Sequence, residues 1–237
     1  MTDLRLGFVA PGLLAGLLAG CGLVSSDVTN FDLTLPDKTF TVDTSSWQVD
    51  DQAAMTFLQT SCASAPAVCS SAAEMACAMN CSGECNANTQ TCDLTLEVAL
   101  HQPVNLVEER PELKSINDEP VIKVTIDSVT YEVTQNSLNV ATPPMQLYVA
   151  PISVMDPNDP QAKEIGTIEA AAPGFVTDGP QDIAFTATGK AELIDMMSTY
   201  QTPFNVLVGS TLVVTAGQPV PTGKLAAVVH IKAHAGL

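Results

Sequence analysis

Positive charge is what this chain has least of. Against 26 Asp+Glu it carries 9 Lys+Arg, a formal net charge of −17 over 237 residues. Nucleic-acid affinity rests on Lys and Arg contacts to phosphate, so the balance argues against a nucleic-acid partner. It also disfavours lying flat on anionic lipid. Aromatic residues are sparse, at 5%, with a single Trp47 and three Tyr, so a sugar site built on aromatic platforms has little to draw on. Arg5 and Arg110 are the only arginines, which leaves few clamps for an oxyanion or a phosphate. G-x-S-x-G and H-E-x-x-H are both absent, removing two familiar hydrolase signatures. The first apolar run, residues 6–18, is shorter than the roughly 20 residues a membrane-spanning helix needs.

Apolar residue is ample, at 46%, and the chain is long enough to bury a core for which disulfides are not obligatory. Seven cysteines are nevertheless present, unevenly spread. Cys21 stands alone, while Cys62, Cys69, Cys77, Cys81, Cys85 and Cys92 crowd one segment. An even cluster in an exported protein reads as a disulfide set, whose pairing the sequence leaves open. The cluster holds no C-x-x-C and has no His nearby, which weighs against zinc, an iron–sulfur cluster or dithiol redox catalysis.

Alternation dominates the rest. "FDLTL", "TFTV", "LTLEVALH", "VIKVTIDSVTYEV", "MQLYVAPISV", "KEIGTIEA", "QDIAFTATG" and the C-terminal stretch from Phe204 place apolar residues at every second position, the signature of half-buried strands. The phase slips at Asp127-Ser128, which predicts a bulge or tight turn. Asp50 and Asp51 lead into "QAAMTFLQ", a short helix. Cys77, Cys81 and Cys85 recur every four residues, which predicts one face of a second helix, ended by Gly83. "KAELIDMMSTY" predicts a third helix. Because the strands are mostly not separated by helices, the expected fold is mainly β: an antiparallel β-sandwich or open barrel, with a short helical, cysteine-rich, disulfide-stapled insertion at 48–92.

Candidate chemistry is thin. Asp156, Asn158 and Asp159 of "DPNDP" offer oxygen ligands for calcium, with Asp178 and Asp182 as further donors, but Asp, Asn and Pro are equally turn formers. His230 and His234 lie on a strand, about 13 Å apart at strand rise, a poor spacing for a shared metal. "GQPVPTGKL" has one residue too many for a phosphate loop, and Leu225 stands where Ser or Thr belongs. Glu108-Glu109 could serve acid–base work only if the fold paired them with a substrate site. No residue is assigned a catalytic role, and no cofactor is expected.

The N-terminus carries the one specific signal. "MTDLRLGFVAPGLLAGLLAGC" has the short polar start and apolar run of a signal peptide. Leu18-Ala19-Gly20-Cys21 resembles the lipobox of bacterial lipoproteins: an aliphatic residue, two small residues, then cysteine. The resemblance implies a cut before Cys21, a diacylglycerol on its thiol, and a further acyl chain such as palmitate on the new amino terminus. Gly22 resembles the outer-membrane type, since Asp at that place is the family's inner-membrane retention signal. Several acyl chains anchor stably where one is marginal. The implied organisation is a signal peptide at 1–20, a lipid-anchored tether at 21–30, and a β-sandwich domain at 31–237. The implied partners are the membrane, through the lipid, and an envelope protein. The expected role is structural, adhesive or binding, at the outer membrane and facing the periplasm or the exterior. A periplasmic accessory factor for an exported partner is the alternative, and a hydrolase assembled from loops a third.

Overall fold

The computed structural model describes residues 30–116 and 122–236; Cys21 and the rest of the lipobox and tether reading up to residue 29 lie outside them. In chain order the strands are β1 (Asn30–Asp32), β2 (Lys38–Asp43), β3 (Cys81–Cys85), β4 (Cys92–Val104), β5 (Lys123–Asn136), β6 (Met145–Pro151), β7 (Lys163–Ile168), β8 (Gln181–Asp182), β9 (Ala184–Phe185), β10 (Phe204–Val214) and β11 (Lys224–Gly236). The helices are α1 (Asp51–Leu58), α2 (Ala67–Ala76), α3 (Leu106–Glu109) and α4 (Gly189–Ser198).

Two antiparallel sheets form. In the first, β1 and β2 both pair with β11, which pairs with β5 and then β8; the second runs β3-β4-β10-β6-β7-β9. The alternation read from sequence is the packing pattern. Val124, Ile126, Val129, Tyr131 and Val133 of β5, with Leu225, Val229 and Ile231 of β11, share one buried core with Leu94 and Leu96 of β4 and Leu147 and Val149 of β6. The slip at Asp127 is a β-bulge: Ser128 faces Lys232 and Ile126 faces Ala233, leaving Asp127 between them. That extra residue returns Val129 and Tyr131 to the inner face.

Both open sides of the sandwich are stitched. On one, the single strand expected from "QDIAFTATG" divides. β8 pairs with Thr130 and Tyr131 in the first sheet, whereas β9 pairs with Gly166 and Thr167 in the second. Ile183, buried between the two, anchors this switch of sheets. On the other side, side chains span β2 and β4 where no ladder forms. Gln102 Nε2 donates to the Thr39 carbonyl at 3.0 Å, and Lys38 Nζ to the Pro103 carbonyl at 3.0 Å. Lys38 also meets Glu109 at 2.7 Å. Pro103, lacking an N–H, suits such an edge.

The insertion leaves β2 through a short 3₁₀ turn (Thr44–Trp47), and Trp47 Nε1 donates to the Glu97 carbonyl at 2.8 Å. One expectation fails here. Cys81 and Cys85 are not on a helix; α2 stops at Ala76, and Cys81–Cys85 is the edge strand β3, paired with β4 from Cys85↔Cys92 to Cys81↔Leu96. Gly83 does not end a helix but sits mid-strand. A Cβ there would lie 2.6 Å from the Phe57 ring and overlap the Cys69 carbonyl. Its absence lets α1 and α2 lie directly on β3.

The two ends of β11 differ in what they hold. β1 pairs with its last residues, Asn30↔Gly236. β2 pairs with its first residues and ends at Asp43↔Lys224, where the insertion departs. The domain is entered at one pole and the insertion rises from the other, separated by a strand of 13 residues, about 40 Å at strand rise.

Candidate functional site

The insertion is built on an antiparallel helix pair. Asp50 caps α1, its carboxylate accepting from Ala53 N at 2.8 Å, and Asp51 adds negative charge to the first turn. Ala54, Phe57 and Leu58 face inward from α1, and Cys69, Ala73 and Ala76 from α2. The Asp50 N–H donates to the Ala76 carbonyl at 3.0 Å, tying the start of α1 to the end of α2.

Three disulfides fix this pair to the sheet. Cys62–Cys85 ties the α1–α2 loop to the end of β3, Cys69–Cys92 ties α2 to the start of β4, and Cys77–Cys81 joins the end of α2 to the start of β3. All six clustered cysteines are thus used. The first two bridges interleave, each closing a separation of 23 residues. Such bridges form and persist in an oxidising, extracytoplasmic compartment. Among the described residues, no helix is long and apolar enough to cross a membrane.

Between α1 and α2 runs an open groove of about 490 Å³. Its apolar lining comes from Ala53, Phe57, Ala72 and Met75, with Thr56 and Asp50 along the α1 side. Met75 is 72% exposed, Met79 51% and Met55 49%, an unusual display of large apolar side chains on one small subregion. Met79 is steadied by Gln48, whose Nε2 donates to its sulfur at 3.6 Å. No Lys, Arg or His occurs in residues 44–92, whereas Asp50, Asp51, Glu74 and Glu84 are all exposed. The base at the insertion's root, Lys224, is held by Asp43 at 2.7 Å. Hydrogen bonds from Lys224 and then from Ser45 hold the Asp43 carboxyl down to about 2. The charged residue that lines the groove is thus Asp50, and Lys224 at the insertion's root is already paired.

The other sequence candidates resolve into structural roles. In "DPNDP", Asp156 Oδ1 accepts from Asn158 N and Asp159 Oδ1 from Gln161 N, each at 2.8 Å. These are Asx turns. They shape a loop that covers the outer face of β10, where Pro157 packs into the space left by Gly209. Asn205, a buried amide of β10, pins the same loop by donating to the Ile152 and Val154 carbonyls at 2.9 and 2.8 Å. Among the described residues, no group of three His, Cys, Asp or Glu is placed to hold a metal. Asp178 lies in the β7–β8 connection, and Asp182 ends β8.

His230 and His234 are not brought together. His230 Nδ1 meets Asp37 at 2.6 Å, and His234 Nδ1 meets Asp127 at 3.0 Å. Glu109 is the counter-ion of Lys38 rather than the partner of Glu108. The gap between the sheets near Trp47, Val98 and Leu212 holds about 20 Å³, room for a water at most. The sandwich interior is packed core there, not a ligand cavity.

Residue types alone did not single out the groove. Its signal lay in two patterns: the run from 44 to 92 without one basic residue, and methionines at positions 55, 75 and 79 that have no place in a core. Comparison with family models, with curated proteins and with solved structures found no match.

Proposed function

We propose that the chain is a lipid-anchored lipoprotein of the bacterial outer membrane that works as a non-catalytic binding module. The observation that carries this reading is the polarity of the fold. The tether would enter beside the C-terminal end of β11, and the disulfide-braced insertion rises from the opposite end. An anchor at Cys21 would thus hold the groove away from the lipid, toward whatever meets the outer part of the molecule. The lipobox-like Leu18-Ala19-Gly20-Cys21 and the oxidising compartment indicated by three disulfides support the same assignment. Cross-linking lowers the entropy lost when a surface is ordered by a partner, a property suited to binding.

Intact mass of the protein purified from membranes tests the anchor. The expected species begins at Cys21 and carries acyl mass that disappears in Cys21→Ala; an unacylated chain that retains residues 1–20 would overturn it. Protease added to intact cells then reads the side: cleavage indicates surface display, and protection a periplasm-facing role toward an exported partner.

A further inference from the structure

We infer that the α1–α2 groove receives a basic amphipathic segment of an exported protein. Two features of the groove select that chemistry together. Its floor is apolar and adaptable: Phe57, Ala53 and Ala72 are fixed by helix packing, and Met75 can repack around an incoming side chain. Its rim is anionic: Asp50 lines it, Asp51 adjoins it in the first turn of α1, and no base occurs in residues 44–92. An apolar ligand would satisfy the floor alone, and a small cation the rim alone. A peptide with an apolar stripe and flanking Lys or Arg satisfies both, and such an amphipathic element laid in a groove is a common recognition mode. The groove runs beside helices of 8 and 10 residues, about 12–15 Å at helical rise, which matches two to three turns of a bound helix. An acidic segment would meet the like charge of Asp50 and Asp51.

This inference specifies the partner of the binding module proposed above, and rests on that reading for the partner being exported. The test uses the full chain in zwitterionic lipid nanodiscs, with empty discs as reference. The probe is a fluorescent peptide of about two heptads with Leu on one face and Lys elsewhere, compared with the same pattern in Glu. The Lys peptide should bind at least about tenfold more tightly, and added salt should weaken it. Met75→Lys, at a side chain too exposed to endanger the fold, and Glu74→Lys should each weaken it, Met75→Lys by about tenfold. Asp195→Lys, the same change of sign at an exposed position of α4, should leave binding unaltered. Equal binding of the two peptides, binding of neither, or equal losses in Met75→Lys and Asp195→Lys would overturn the inference. The outcome is independent of the anchor: peptide binding by a chain without acyl mass would keep this site and reject the lipoprotein reading, and the converse result would do the reverse.

Discussion

The sandwich and its insertion are stabilised by different means. The sandwich relies on long ladders and a continuous apolar core, with β4, β5 and β11 each running 13 or 14 residues. The insertion has two short helices, an Ala- and Ser-rich α2, and few large buried side chains beyond Trp47, Phe57 and Leu58. It carries all three disulfides instead. A small region that cannot bury enough apolar surface is commonly braced covalently. With covalent links holding α1 and α2 on β3, Met55, Met75 and Met79 are not needed inside and stand exposed.

Removing a bridge should affect the insertion far more than the sandwich. Cys69→Ser with Cys92→Ser opens a separation of 23 residues, which should cost about 3 kcal/mol. The loss should be local. Hydrogen exchange should accelerate across residues 48–85 while the amides of β5 and β11 keep their protection. Equal acceleration in both regions would show that the insertion has no stability of its own to lose.

Gly83→Val attacks the same interface without touching sulfur. Its side chain would collide with the Phe57 ring and the Cys69 carbonyl, and overpacking of this kind costs about 1–3 kcal/mol. Thermal melts should show the drop, with the disulfides still formed by mass. A neutral outcome would mean that α1 and α2 do not press on β3.

Asn205→Ala is the corresponding lesion in the sandwich. It strands the Ile152 and Val154 carbonyls, a loss of about 1–3 kcal/mol. Exchange should rise in residues 152–162 and not in the insertion.

The smallest effect is electrostatic, at the root of the insertion. The folded-state pKa of Asp43, at about 2, lies below the ordinary carboxylate value. The stabilisation from its charge is therefore complete above about pH 4 and is lost as pH falls toward 2. Asp43→Asn should lower the melting temperature slightly at neutral pH, and the difference from wild type should shrink between pH 4 and pH 2. A difference that stays constant through that range would show that the Asp43 charge does not stabilise the fold.

Strands were the most legible part, because period-two alternation reports directly on a half-buried sheet. Even the bulge at Asp127 showed as a slip of phase. The end of α2 was illegible for a geometric reason. Four residues make about one helical turn, but four is also an even number, so Cys81 and Cys85 share a face in a helix and in a strand alike. Only pairing with β4 distinguishes the two. The sheet switch at Ile183 was hidden because strands of two residues carry no period. The Lys38–Glu109 pair was hidden because its members lie 71 residues apart. "DPNDP" was readable as turn chemistry, but its place over β10 depends on Gly209 and Asn205, far along the chain. The groove is a relation between two helices, and neither helix sequence contains it.

The insertion stands at the pole remote from Asn30, and so from the proposed anchor, and the protein supplies its own probe of that placement. Trp47, the single tryptophan, is buried at the insertion's base. The acylated protein bound to vesicles containing spin-labelled lipid should show Trp47 fluorescence close to that in unlabelled vesicles, because contact quenching does not reach across the length of β11. Strong quenching of Trp47 would bring the insertion to the bilayer and rule that placement out.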